Sequence, residues 1–274
     1  HLQTITDVAQ KADLLNLLAQ RLVLPYSLMA ILLFALALLV RLAHLPEIAT
    51  DETAEEYGEQ HAHKSLWSYP QLWFGVIALF FYVGVEVIAG DTIIRYGQSL
   101  GIAMESAKYF TSLTLIAMVV GYFVGIALIP RIISQRTALI CCALLGMFFT
   151  LMAVFAPSGS QFSFNFIDLT TFSGIVITIP NTVMYIALLG VANSLMWPAI
   201  WPLALDGVGK YIKLGSALLI MAIAGGAVMP LVYGRLAAAP GIGTQNAYLV
   251  AIPCYLIILA FAILASRLKK FSQR

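Results

Sequence analysis

The sequence predicts an all-α membrane protein with seven transmembrane helices, and three observations carry that prediction. Of its 274 residues 61% are hydrophobic and 10% are charged, with a mean hydropathy of +0.92, whereas an ordinary soluble domain has about 25% charged residues. Apolar runs recur along the whole chain, each near the ~20 residues that a helix needs to cross about 30 Å of hydrocarbon. Charged residues, Gly and Pro gather in the breaks between those runs, where turn chemistry belongs.

Residues 1–21 are polar and partly amphipathic, with Leu14, Leu15, Leu17 and Leu18 among Asp13, Asn16 and Gln20. That pattern predicts a short helix lying beside the membrane. From Leu22 to Val40 the chain is uncharged between Arg21 and Arg41, long enough for a first crossing, with Pro25 near its start, where a helix tolerates proline. Residues 42–70 change character: Glu47, Asp51, Glu52, Glu55, Glu56 and Glu59 precede His61, His63 and Lys64, the composition of a solvated linker. Two histidines without a third ligand do not make a zinc site.

Six further apolar runs follow near residues 72–95, 110–129, 138–156, 182–205, 214–236 and 248–266. Breaks rich in Gly, Pro or charge fall at 97–108, 130–136, 157–181, 206–213 and 239–246. The predicted organisation is an outer segment with a lone helix over 1–41, a linker over 42–70 and a six-helix block over 71–274.

The net charge of +2 is small and the basic residues lie in separate loops, which argues against a nucleic-acid partner. Cys141, Cys142 and Cys254 sit within apolar runs and form neither a disulfide framework nor a metal-ligand spacing. The chain starts at His1 without a charged segment followed by a short apolar one, so it carries no signal-peptide pattern and reads as a piece of a longer protein.

Basic residues orient the crossings. Arg41, Lys64, Arg131, Arg136, Lys210, Lys213, Arg267, Lys269, Lys270 and Arg274, ten of the fifteen Lys and Arg residues, share one side when seven crossings are threaded. That side is predicted to be cytoplasmic, with the C-terminus inside, the first residues extracytoplasmic and the protein in the inner (plasma) membrane. Many secondary transporters join two six-helix halves through a cytoplasmic connection. One crossing, a cytoplasmic linker and six crossings match the later portion of such a chain, with five earlier helices outside this sequence.

The richest stretch is Tyr82-Val-Gly-Val-Glu86-Val-Ile-Ala-Gly90-Asp91-Thr-Ile-Ile-Arg95-Tyr96. A charge near the bilayer centre costs roughly 2.5 to 3.5 kcal/mol on insertion scales, so it persists where it faces a protein interior, a wet cavity or a ligand. Counted from Leu72 at 1.5 Å per residue, Glu86 lies ~21 Å along the helix, Asp91 ~28 Å and Arg95 ~35 Å. Glu86 is thus a candidate ligand and proton-coupling group inside the span. Asp91 and Arg95, four apart on one face, are a candidate rim ion pair or gate. Tyr82 and Gly90 flank Glu86 as further candidate binding positions.

A second dense stretch, Asn193-Ser-Leu-Met-Trp197-Pro198-Ala-Ile-Trp201-Pro202, places Asn193 and Trp197 one turn apart on one face. An aromatic ring stacks on the C–H face of a sugar while an amide and a carboxylate take its hydroxyls, as in apolar pockets with few placed polar groups. Interfacial anchoring accounts for Trp201 better than for Trp197. Small residues at Gly121 and Gly125, and from Gly215-Ser216 through Gly225-Gly226 to Pro230, read as close helix packing.

These segments, Phe81 to Glu86 running on to Tyr96, Asn193 to Pro198, and Gly215-Ser216 with Gly225 to Pro230, resemble the seventh, tenth and eleventh helices of the fucose:proton and glucose/galactose symporters of the major facilitator superfamily. The resemblance covers essentially the whole chain. It implies the C-terminal six-helix half of that fold preceded by a lone helix, within a secondary active transporter importing a hexose or deoxyhexose with protons by alternating access. It implies no cofactor, a proton as coupling ion, and as partners a sugar, the bilayer and the N-terminal half of the same transporter. Glu86, Asn193 and Trp197 are then sugar contacts. The fucose member differs in having Gln at the position of Glu86 and its proton-coupling acids in the first half.

Two readings from other classes fit less well. A seven-helix receptor or light-driven pump of the retinal kind needs a lysine within the last crossing, and residues 248–266 have none. An intramembrane enzyme could use Gly97-Gln-Ser99-Leu-Gly101 as a nucleophile motif, but that motif needs a preceding strand, and here it follows a membrane helix. The protein is therefore expected not to be an enzyme.

Overall fold

The structure, a computed structural model, describes residues 8–42, 65–129, 131–157, 159–167 and 174–272. The acidic and histidine-bearing stretch of the linker lies outside the described residues. Contacts divide the chain into two units, His1–Thr53 and Ala54–Arg274.

The described residues of the first unit form one helix, α1 (Val8–Leu42), of 35 residues. The separate surface helix expected over residues 1–21 is not formed among the residues described. No Gly or Pro occurs between Val8 and Leu24 to break the run, and Pro25 is held inside the helix. At 1.5 Å per residue α1 is about 52 Å long, so its apolar stretch, Leu22–Leu39, takes up only some of that length.

The second unit begins with a single 3₁₀ turn, Leu66–Ser68, whose Trp67 stacks on Trp73 at 4.5 Å. It continues as α2 (Pro70–Ser99), α3 (Phe110–Leu128), α4 (Gln135–Phe155), strands β1 (Gln161–Ile167) and β2 (Gly174–Pro180), α5 (Asn181–Ser194), α6 (Met196–Leu205), α7 (Ile212–Met221), α8 (Gly225–Ala238) and α9 (Ala251–Ser272). Local chemistry marks the starts. Pro70 occupies the first turn of α2, where a missing N–H costs nothing, and the Ser134 hydroxyl caps α4 by accepting from the Thr137 N–H at 3.1 Å.

Among the described residues seven segments are long and apolar enough to cross a membrane, at Leu22–Leu39, Pro70–Ser99, Met104–Leu128, Gln135–Phe155, Asn181–Leu205, Gly209–Ala238 and Gly243–Ala265. They coincide with the seven apolar runs of the sequence. In the second unit one end of the bundle, here called the linker side, holds the start of α2 and the end of α9. The opposite, hairpin side holds the ends of α2, α4 and α8.

Two crossings are broken. Between α5 and α6 the break falls at Leu195; Pro198 follows and has no N–H to give the Ser194 carbonyl, so the ladder lapses there. Between α7 and α8 a 3₁₀ turn, Ala222–Ala224, precedes Gly225 and Gly226.

The hub of the second unit is α2, which packs against α3, α5, α6, α8 and α9 and buries Leu72, Leu79, Tyr82, Ile88, Ile93 and Tyr96. Against α8 the approach is backbone to backbone: a Cβ on Gly225 would be driven into the Phe80 carbonyl. Small residues permit that spacing, which apolar solvent alone does not enforce.

The break expected at 157–181 is an antiparallel hairpin rather than an irregular loop. Phe162 pairs with Ile179, Ser163 with Thr178 and Phe164 with Ile177, and the Asn181 N–H closes the base on the Ser160 carbonyl at 2.9 Å. The period-2 alternation of Phe with Ser and Asn, facing a β-branched Ile-Val-Ile-Thr-Ile run, is a strand pattern. A search for 20-residue spans passes over it.

Candidate functional site

Glu86 stands near the middle of α2, half-buried, one turn beyond the buried Tyr82, whose phenol lies within electrostatic reach of the carboxylate. Two more tyrosines lie within electrostatic reach of the carboxylate, Tyr122 from α3 and Tyr255 from α9. Aromatic rings continue the surface: Tyr82 meets Trp197 edge to face at 6.3 Å, and Trp197 stacks on Trp201 at 5.6 Å. Edge-to-face pairs at such spacing are favourable by about 0.5 to 1.5 kcal/mol beyond area burial. The break at Leu195 sets the course of α6 and with it the position of Trp197.

Asn193 sits just before that break and is 1% exposed. Its Oδ1 accepts a 2.9 Å hydrogen bond from the Tyr255 hydroxyl, a partner the sequence does not announce, because a tyrosine in an apolar membrane run looks like packing. Gly90 is also on α2. A Cβ there would meet nothing within 4 Å, and its carbonyl accepts from the Thr111 hydroxyl at 2.7 Å. The structure therefore brings Tyr82, Glu86 and Trp197 together, adds Tyr122 and Tyr255, and leaves Gly90 one turn further on beside open space.

Asp91 and Arg95 are both exposed. No ion pair or hydrogen bond joins them among the described residues, so the expected rim pair is not made in this structure. Water and lipid headgroups hold exposed charges nearly as well as a partner does.

A cavity of about 300 Å³ lies between α3 and α6 towards the linker side, lined by residues that include Tyr122, Gly125, Ile129, Gln135, Leu195 and Pro198. It adjoins the site through Tyr122 and the neighbour of Trp197, and Glu86, Asn193 and Trp197 do not line it. The carboxylate, amide and indole identify the candidate site better than this largely apolar hollow, which offers a ligand few partners.

Ser99 ends α2 and is not a poised nucleophile. Its hydroxyl donates to the Tyr96 carbonyl at 2.7 Å and bonds the Thr244 hydroxyl at 2.9 Å. No group of three or more His, Cys, Asp or Glu residues that could hold a metal occurs among the described residues.

Seven apolar crossings, six of them belonging to one helical unit with a carboxylate and aromatic rings between its helices, define a multi-pass membrane protein of the major facilitator fold. The superfamily transporter FucP, solved in its outward conformation, superposes with a TM-score of 0.73 over 96% of this chain and 59% of that one, at 23% identity. By sequence the chain is homologous to sugar transporters. It is 31% identical over 245 residues to the glucose/galactose transporter of Brucella abortus biovar 1 (strain 9-941), covering 89% of this chain and 53% of that protein. It is 27% identical over 246 residues to the L-fucose-proton symporter of Escherichia coli (strain K12), covering 87% and 50%. The chain thus spans about half the length of the curated relatives it matches. No protein-family model matches it.

Proposed function

We propose that this chain is the C-terminal portion of a secondary active transporter that imports a hexose or deoxyhexose together with protons by alternating access, and that it is not an enzyme. The observation that carries the reading is the meeting of Tyr82, Glu86 and Trp197 between α2 and α6 in a chain whose sequence relatives are sugar transporters. A half-buried carboxylate accepts hydroxyl hydrogen bonds, the indole face stacks on the C–H side of a pyranose, and Asn193 adds an amide. Such a set recognises polyols, and the remaining wall of the cavity is assigned to an N-terminal half of the same protein. In this reading the linker side is cytoplasmic, the C-terminus is inside and the protein resides in the inner membrane.

Glu86 is the group in this portion able to exchange a proton between the two faces, because carboxylates titrate and the neighbouring phenols and indole do not in the working range. Asp91 and Arg95 are left to a rim role in other states of the cycle. The test uses the full-length parent protein in proteoliposomes, with sugar-driven proton uptake as readout. The expected outcome is alkalinisation with glucose, galactose or L-fucose outside; none with any hexose or deoxyhexose sinks the transport reading. Glu86→Gln is expected to weaken sugar binding, and loss of its pH dependence would assign the coupled proton to Glu86. Unchanged affinity in that variant refutes the site.

A further inference from the structure

We propose that the sugar site runs on past Tyr122 into the cavity between α3 and α6, so that the protein binds glycosides carrying an apolar aglycone, an alkyl chain above all, more tightly than the free sugar. The inference rests on the sugar-site reading above and adds to it a second subsite and a class of ligand.

Tyr122 is the residue that the two places share. Its phenol lies within electrostatic reach of Glu86, its side chain is 38% exposed, and it lines the cavity of about 300 Å³. Tyr82 and Tyr255, the other phenols around the carboxylate, are buried, so Tyr122 is the one of the three with surface to offer a ligand. A second connection runs through α6: Pro198, on the cavity wall, directly follows Trp197, whose ring meets Tyr82 at 6.3 Å.

The cleft has a local cause. Gly121 and Gly125 bring α3 tightly against Ser194 and Leu195, where the crossing breaks. Past the break the two helices leave a gap walled by Ile126 and Ile129 on one side and Pro198 and Ala199 on the other. From Tyr122 to Ile129 that wall spans seven residues of α3, about 10 Å towards the linker side at 1.5 Å per residue. Of the side chains on the wall only Tyr122 and Gln135 are polar, and none is charged. A hydroxylated or charged substituent would give up its water there for almost no partners, whereas methylene groups gain by leaving water. Glu86 and Trp197 therefore take the sugar, and the cleft beyond the Tyr122 ring takes a chain attached to it.

The test is equilibrium competition binding on the purified full-length protein. The ligands are D-glucose, D-galactose and L-fucose with their methyl, butyl, hexyl and octyl glycosides in both anomers, all below micelle-forming concentrations. For a sugar that binds, affinity is expected to rise about two- to fourfold per added methylene and to level off once the cleft is filled. Affinity independent of chain length overturns the proposal. Equal competition by octyl glycerol does so too, since it would mark an apolar surface without sugar recognition. Ile129→Trp fills the linker-side end of the cleft. It is expected to weaken the octyl glycoside at least tenfold while methyl glycoside affinity stays within twofold, and an undiminished octyl gain overturns the placing of the chain. If that variant fails to fold, wild-type protein is photolysed with an octyl glycoside bearing a diazirine at the chain end. Labelling within 122–135 or 195–199 supports the proposal, and labelling elsewhere overturns it. Should neither the free sugars nor their methyl glycosides bind, the sugar-site reading itself falls. If they bind and chain length has no effect, only the cleft falls.

Discussion

The seam between α4 and α9 and the contact between α2 and α8 join neighbouring crossings by opposite means. At the linker side of the first, Arg136 near the start of α4 donates from Nε to the Ala262 carbonyl at 2.8 Å and from Nη2 to the Ile263 carbonyl at 2.7 Å. At the hairpin side Gln245, just ahead of α9, donates from Nε2 to the carbonyls of Ala153, Val154 and Ala156 at 3.0, 2.9 and 3.2 Å. Each helix is thus held by a side chain from the other's stretch of sequence: Arg136 adds its bonds to carbonyls within the body of α9, and Gln245 takes the carbonyls at the C-terminal end of α4 that a helix leaves without partners. The α2 and α8 contact is made instead in mid-crossing, by Gly225 against the Phe80 carbonyl and by Gly84 against Met229. The first device ties two helices through directional hydrogen bonds to the main chain. The second sets their spacing by the small size of the residues that meet.

Four substitutions test that contrast. The largest effect is expected at Gly225→Leu, where a side chain has to push the α2 and α8 backbones apart: overpacking costs about 3 kcal/mol or more where neither wall yields. The readout is the thermal midpoint of the full-length protein in detergent, and a midpoint within error of wild type would show that the contact opens freely. Arg136→Met is next, at about 2 kcal/mol for charge-assisted bonds to carbonyls, with Gln245→Leu somewhat below it. Their losses are expected to add in the double variant because the two sites lie at opposite ends of the seam, and marked non-additivity would mean that the seam responds as one cooperative clasp. The smallest is Asp91→Asn, expected to shift stability by no more than about 0.5 kcal/mol, since neither Asp91 nor Arg95 is engaged with the other. A larger loss would restore their pairing as a feature of the folded protein.

Much of this architecture was legible in the sequence because the bilayer imposes a length: each apolar run between charged or Gly and Pro breaks became a crossing, with ends moved by a few residues. Glu86 was legible for the same reason, since a carboxylate in such a run is conspicuous. Tyr255 was not, because a phenol among Leu, Ile and Phe is ordinary core until a partner on another helix is known. Arg136 and Gln245 looked like loop residues, and only tertiary placement reveals the carbonyls they serve. The hairpin carried its own signal in the alternation at residues 161–167, hidden by attention to the longer period. The α1 helix shows the reverse error, where a polar opening suggested a boundary although no residue type present could end a helix.

The Gly225 contact also bears on how this crossing tolerates change. Along the exposed face of α8, Val228, Leu231 and Val232 can be exchanged for other apolar residues with little loss. At Gly225 the added volume has nowhere to go, since the obstacle is main chain and cannot rotate aside as a side chain does. A saturation scan of the crossing would therefore read as a permissive lipid-facing surface interrupted by one forbidden coordinate, and natural variation should be narrowest there even though Gly225 touches no ligand.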